Sequence, residues 1–262
     1  MRDAFIAELF SQAQNDPRIM LVVGDLGYGV VDNFANVLPN QFLNAGVAEQ
    51  NMMGVAAGLA AGGCKVFVYS IANFPTLRCL EQIRNDICYH ALDVTIVSVG
   101  AGVSYGTLGY THFAVEDIAV MRALPGMRVI CPADPIEARQ AVHDVIAKGG
   151  PNYVRLGKNG EPTFHTVGTL VSLSEPIVMR EGKDVAIVGT GSILLSCLEA
   201  ADELAGAGID ATVVSCPTIK PLSASWLSSI GKIPIVTVEE HSLDGGFGSA
   251  VLEGINDFGI SV

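Results

Sequence analysis

Short β-branched runs alternate with helix-period stretches along most of this chain, and that alternation constrains the fold more than any other feature. Ile19–Val23, Lys65–Tyr69, Val94–Val99, Arg128–Cys131 and Asn152–Leu156 read as buried strands. Glu49–Ala61, Pro75–Tyr89, Thr111–Ala123 and Pro135–Ala147 read as the helices between them. Asp134 before Pro135, with Glu137 following, marks a helix start, because a carboxylate there accepts from the free amides of the first turn. Strands joined through helices lie parallel, so the pattern predicts an α/β fold: a mostly parallel sheet with helices on both faces. The N-terminal MRDAFIAELFSQAQ adds an amphipathic helix with Phe5, Ile6, Leu9 and Phe10 on one face. It lacks the apolar core and cleavage site of a secretory leader.

Gly157–Pro176 mixes Gly, Pro, Thr, Ser and Lys without a long period and reads as a linker. After it, strands at Asp184–Gly189, Asp210–Ser215 and Ile233–Glu239 and helices at Ile193–Ala207 and Ser223–Ile230 predict a second, smaller α/β unit. A further strand and helix are expected after Val262. The chain carries no internal repeat and no low-complexity tract.

Half of the 262 residues are hydrophobic, as a packed globular protein requires. The net charge of -12 argues against nucleic-acid and anionic-membrane partners. Mean hydropathy is +0.43, yet polar or charged residues interrupt every apolar run, so no membrane span is expected. The excess apolar surface predicts an interface with another subunit. The six cysteines form no C-x-x-C pair, and the five histidines show no metal-pair spacing. Buried free thiols in a reducing cytoplasm, and no metal site in this chain, are the expectation.

VGTGSILLS at Val188–Ser196 has Leu194 where a dinucleotide fingerprint needs a third glycine, so it reads as a tight turn. Neither a P-loop nor a G-x-S-x-G elbow occurs. Two features resist a bland reading. Glu49 is a carboxylate set in a run of Gly, Ala, Val and Met, where burial is costly unless something meets it. A paired Arg or Lys, or the positive end of the helix dipole, would be the structural answer. His112 lies in a Gly-rich loop entering a helix and could cap it or do chemistry.

VVGDLGYGVVDNF, LNAGVAEQNMMGVAAGLA, NFPTLRCLEQIRND, GYTHFAVEDIAVMRALPGMRVICPADPIEAR, PNYVRLGK and EEHSLDGGFGSAVLE, taken in this order, span nearly the whole chain. Together they resemble the C-terminal half of transketolase-like thiamine diphosphate enzymes, and most closely the second subunit of a split transketolase. The resemblance implies a pyrimidine-binding domain over 1–160, a linker over 161–178 and a short transketolase C-terminal α/β domain over 179–262, lacking its final elements. It implies that Glu49 bonds N1′ of the aminopyrimidine, so that the cofactor's exocyclic nitrogen can take the proton from thiazolium C2. Phe74 matches the aromatic that stacks on the pyrimidine, within a motif that also holds Arg78, Glu81, Gln82 and Arg84. His112 matches a substrate-facing histidine that shuttles a proton or binds hydroxyls. Asp25 falls in a loop near the cofactor, and Lys158 stands where phosphosugar-using relatives often carry an Arg that meets an anionic group.

Departures from the family pattern modify the expectation. Leu108 replaces an acid that contacts sugar hydroxyls, Phe113 replaces a Gln, and Gly100 stands where sugar-phosphate enzymes commonly have a His. The pocket is therefore less polar, which favours a deoxysugar, a modified sugar or a small acyl donor over xylulose 5-phosphate. No G-D-G motif for Mg²⁺ occurs. The diphosphate contacts and Mg²⁺ ligands are thus expected from an N-terminal partner subunit, in an α₂β₂ assembly. The implied activity is transfer of a two-carbon ketol unit from a ketose to an aldose. Alternatives are a deoxyxylulose-phosphate-synthase-like or 2-oxoacid-dehydrogenase-like acyl transfer, or a non-catalytic regulatory paralogue.

Overall fold

The structure, a computed structural model, describes residues 1–166, 171–230 and 233–260. Residues 167–170 of the expected linker, and 231–232 and 261–262 of the expected second domain, lie outside the described residues.

The first half runs α1 (Arg2–Ala13), β1 (Ile19–Val23), α2 (Asp32–Val37), β2 (Phe42–Asn44), α3 (Glu49–Ala61), β3 (Lys65–Ile71), α4 (Leu80–Gln82), β4 (Val94–Val99), α5 (Asp117–Ala123), β5 (Arg128–Ile130), α6 (Pro135–Lys148) and β6 (Asn152–Leu156). The second half adds β7 (Ile177–Arg180), β8 (Val185–Gly189), α7 (Leu194–Gly206), β9 (Ala211–Ser215), β10 (Thr218–Lys220), α8 (Ala224–Ser229), β11 (Ile235–Val238) and α9 (Phe247–Asp257). The larger sheet has seven strands in the order β10-β5-β6-β4-β3-β1-β2, parallel except for β10. The smaller has four, β11-β8-β9-β7, with β7 antiparallel. Apolar cores fill both faces of the large sheet: Phe5, Leu9, Leu21 and Phe67 on one, Met52, Met53, Ile96 and Ile118 on the other. This is the α/β architecture the alternation predicts.

Two expected helices are reshaped. The stretch Pro75–Tyr89 is a 3₁₀ turn at Leu77–Cys79, the short α4, and a π turn at Ile83–Cys88. The wider turn keeps Ile83, Ile87 and Cys88 facing the core. The helix expected at Thr111–Ala123 starts only at Asp117. Upstream, the amide of Gly102 donates to the Ala114 carbonyl at 3.1 Å and that of Ala114 to the Gly102 carbonyl at 2.9 Å. This bridge commits the backbone of Ala114 and closes 102–114 as a loop, so only a 3₁₀ turn forms at Tyr110–His112 and the α-helix begins later.

The halves are interlocked. β10 pairs with β5 of the large sheet, and the Lys220 ammonium donates to the carbonyls of Arg122 and Leu124 at 2.8 and 2.6 Å. Asp134 caps α6 by accepting from the amides of Ile136 and Glu137, both at 2.8 Å. Its other oxygen accepts from the amides of Phe164 and His165. Buried Glu137 accepts from Ser215 of β9 at 2.8 Å and lies 3.0 Å from His165 Nε2. Arg155 bonds Asp117 at 2.8 Å and donates to the Glu240 carbonyl at 2.8 Å, joining β6, α5 and the end of β11.

Candidate active site

Ligands of open parallel sheets bind beyond the carboxyl ends of the strands. Each residue singled out in the sequence follows such an end: Asp25 after β1, Glu49 after β2, Phe74 after β3, His112 after β4 and Lys158 after β6. Glu49 opens α3 and is 3% exposed, so its charge sits at the positive end of the helix dipole. Arg78 Nη1 donates to its Oε2 at 2.8 Å. Both structural answers to the burial of Glu49 are therefore present, and they hold the carboxylate ready at the mouth of the strands.

The Arg78 guanidinium carbon lies 4.9 Å from the centroid of the Phe74 ring. Phe74 meets the His112 ring edge-on at 5.2 Å, and His112 meets the Tyr105 ring at 5.9 Å. Lys158 Nζ stands 5.1 Å from the Tyr105 centroid. A continuous line of contacts thus runs from Glu49 to Lys158. The loop carrying His112 is tied to the strand ends where Asn73 Nδ2 donates to the Thr111 carbonyl at 2.8 Å. Thr111 Oγ1 lies 3.0 Å from His112 Nδ1, and among the described residues Nε2 has no hydrogen-bond partner.

Asp25 stands apart. Its carboxylate accepts from Asn44 Nδ2 and the Tyr28 hydroxyl, both at 3.0 Å, which holds it below the ordinary carboxylate range. These contacts tie the loops after β1 and β2 together.

Tyr105 is a central residue that sequence reasoning missed. Its signal was Gly100: φ is +100° there, and a Cβ would fall 2.0 Å from Tyr105 Cε2. The glycine lets the aromatic ring lie on the backbone. Gly102 plays a similar part, since a Cβ there would meet Glu240 Cβ at 2.5 Å. Glu239, in the Gly-rich motif, caps α9 by accepting from the amides of Phe247 and Gly248 at 2.6 and 2.9 Å.

A flat aromatic face, a fixed carboxylate and a free imidazole nitrogen fit an aminopyrimidine and the substrate beside it. Among the described residues, no three His, Cys, Asp or Glu side chains gather as a metal site. Val47, Leu77, Val103, Leu108 and Tyr110, on the same loops as the site residues, are exposed apolar side chains.

Comparison with known proteins identifies the fold as a pyrimidine-binding domain followed by a C-terminal domain of the transketolase type. The family model "Transketolase, pyrimidine binding domain" matches residues 1–162, and "Transketolase, C-terminal domain" matches 175–261. The 6-deoxy-6-sulfo-D-fructose transketolase subunit SqwH of Clostridium sp. (strain MSTE9) is 37% identical, over 97% of this chain and 80% of the relative. One of the subunits of the apulose-4-phosphate transketolase of Phocaeicola vulgatus is 35% identical, over 98% of this chain and 83% of the relative. A split-gene transketolase solved as an inactive β4 tetramer superposes with a TM-score of 0.89 at 39% identity, over 98% of this chain and 84% of that one. The chain belongs to the transketolase family, and it resembles the subunits of that family that carry its pyrimidine-binding and C-terminal domains.

Proposed function

We propose that this chain is the pyrimidine-binding subunit of a two-chain, thiamine diphosphate-dependent transketolase that moves a two-carbon ketol unit from a ketose to an aldose. The observation that carries this reading is the convergence of Glu49, Phe74 and His112 beyond the strand ends, linked through Arg78. When bound, thiamine diphosphate supplies the electron sink for carbanion chemistry. Glu49 holds a proton against the pyrimidine nitrogen, in a site where little water weakens the bond. Phe74 offers its face to the ring. His112, oriented by Thr111, presents Nε2 to a substrate hydroxyl and moves its proton. Asp25 acts through the loops it ties, beside the cofactor rather than on it.

The exposed apolar side chains on these loops suit docking of an N-terminal, diphosphate-binding subunit, to which the Mg²⁺ ligands are assigned, in an α₂β₂ assembly. The relatives named above for a sulfonated and a phosphorylated sugar support an anionic ketose as donor, with Lys158 meeting its charged end. All six cysteines are free, and burial pushes Cys79 and Cys131 up to about 12 and Cys88 and Cys197 up to about 11. Such inert thiols suit a reducing compartment, the cytoplasm. Among the described residues, no helix is long and apolar enough to cross a membrane.

Co-expression with the partner subunit tests the reading. Aldose-dependent ketol transfer is expected from the complex and not from either chain. A complex that binds an aldose and a ketose but never exchanges carbon between them would return the chain to a regulatory role.

A further inference from the structure

We propose that Arg78 is a positioning residue that stands in for the aminopyrimidine while the site is free and yields its place when the cofactor enters. The inference rests on the reading above, in which Glu49 and Phe74 receive that ring.

A guanidinium is flat, cationic and rich in N–H donors, and it stacks on aromatic faces. Arg78 uses all of these properties at once. Nη1 donates to Glu49 Oε2 at 2.8 Å, and the guanidinium carbon stands 4.9 Å from the Phe74 centroid. An aminopyrimidine hydrogen-bonded to Glu49 and stacked on Phe74 would make the same two contacts. An aminopyrimidine that took the same oxygen and the same ring face would have to displace the guanidinium.

The two partners differ in freedom. Glu49 is 3% exposed and fixed at the start of α3, whereas the Arg78 side chain is 50% exposed. The cation sits at the open end and is the member able to leave. In its absence the buried carboxylate would keep only the positive end of the α3 dipole as compensation. Arg78 therefore compensates the buried Glu49 and covers the Phe74 face until the ring arrives, and its contacts subtract from cofactor affinity.

Calorimetric titration of the assembled complex with thiamine diphosphate and Mg²⁺ tests this, using wild type, Arg78→Met and Arg78→Lys. Methionine fills the space without the charge. Lysine keeps a cation beside Glu49 and guards against a folding defect. A half-exposed ion pair and a cation–π contact are individually weak, so Arg78→Met should tighten binding roughly three- to tenfold. Arg78→Lys should tighten it less. Weaker or unchanged binding by both variants overturns the proposal, making Arg78 a cofactor contact or a bystander. A wild-type complex that binds no cofactor overturns the underlying reading instead, and the two failures are thereby told apart.

Discussion

The Arg78 guanidinium donates to the Glu49 carboxylate at 2.8 Å across the mouth of the parallel sheet, joining an acid fixed at a helix start to a cation at the surface. That bond lets an otherwise costly carboxylate sit among small apolar residues. If Glu49 does proton chemistry as well, Glu49→Gln separates the two roles. The amide oxygen still accepts from Arg78, so folding and assembly should survive. Steady-state turnover of the complex should fall by roughly 10²- to 10⁴-fold, the usual worth of a positioned acid or base. A rate within tenfold of wild type would remove Glu49 from the chemistry.

Phe74 offers the stacking face. Aromatic pairs add about 0.5–1.5 kcal/mol beyond area burial, so Phe74→Ala should weaken thiamine diphosphate binding to the complex by about tenfold or somewhat less. Phe74→Tyr keeps the face and should bind within about threefold of wild type. Equal affinity for the Ala variant in a titration would make Phe74 an ordinary packing residue.

Gly100 and Tyr105 form a second pair that the site depends on. At Gly100 the backbone, at φ +100°, opposes any side chain, and so does the Tyr105 ring, 2.0 Å from where a Cβ would fall. Gly100→Ala should cost about 1–3 kcal/mol, lowering the melting temperature by roughly 3–10 °C. The displaced ring would no longer meet His112, so donor KM should rise. Adding Tyr105→Ala should restore part of the stability, because the clash goes while the backbone strain stays. Additive losses in the double variant would show that the ring does not lie where the structure has it.

His165 and Glu137 set a pH dependence of stability. The Glu137 carboxylate at 3.0 Å, aided by nearby Asp134, raises the His165 pKa above its ordinary value. A raised folded-state pKa means the contact stabilises fully below the unfolded value of about 6.5 and is lost as pH rises through the folded one. Denaturant melts of wild type and His165→Gln should therefore differ most near about pH 6 and converge toward about pH 9. A gap that widens with pH would reverse the sign and refute the pairing.

Much of the large sheet was legible because its strands are short β-branched runs closed by Gly or polar residues, as in Val94–Val99, every residue of which is buried. The strands β2, β7 and β10 were not, since they are three or four residues long and exist only through their partners. β10 in particular is made by β5, more than eighty residues earlier. In the site, Glu49 drew attention as an acid among apolar residues, and Phe74 and His112 through resemblance. Tyr105 and Asn73 escaped notice because their roles arise only when loop 102–114 closes on itself and brings Thr111 and His112 back over the strand ends.

The central claim is that this chain holds one half of a cofactor site and a partner holds the other. Equilibrium dialysis of thiamine diphosphate with Mg²⁺ against the complex, this chain alone and the partner alone tests it most directly. The account predicts binding by the complex and by neither chain alone. Tight binding by this chain alone, or none by the complex, would contradict it.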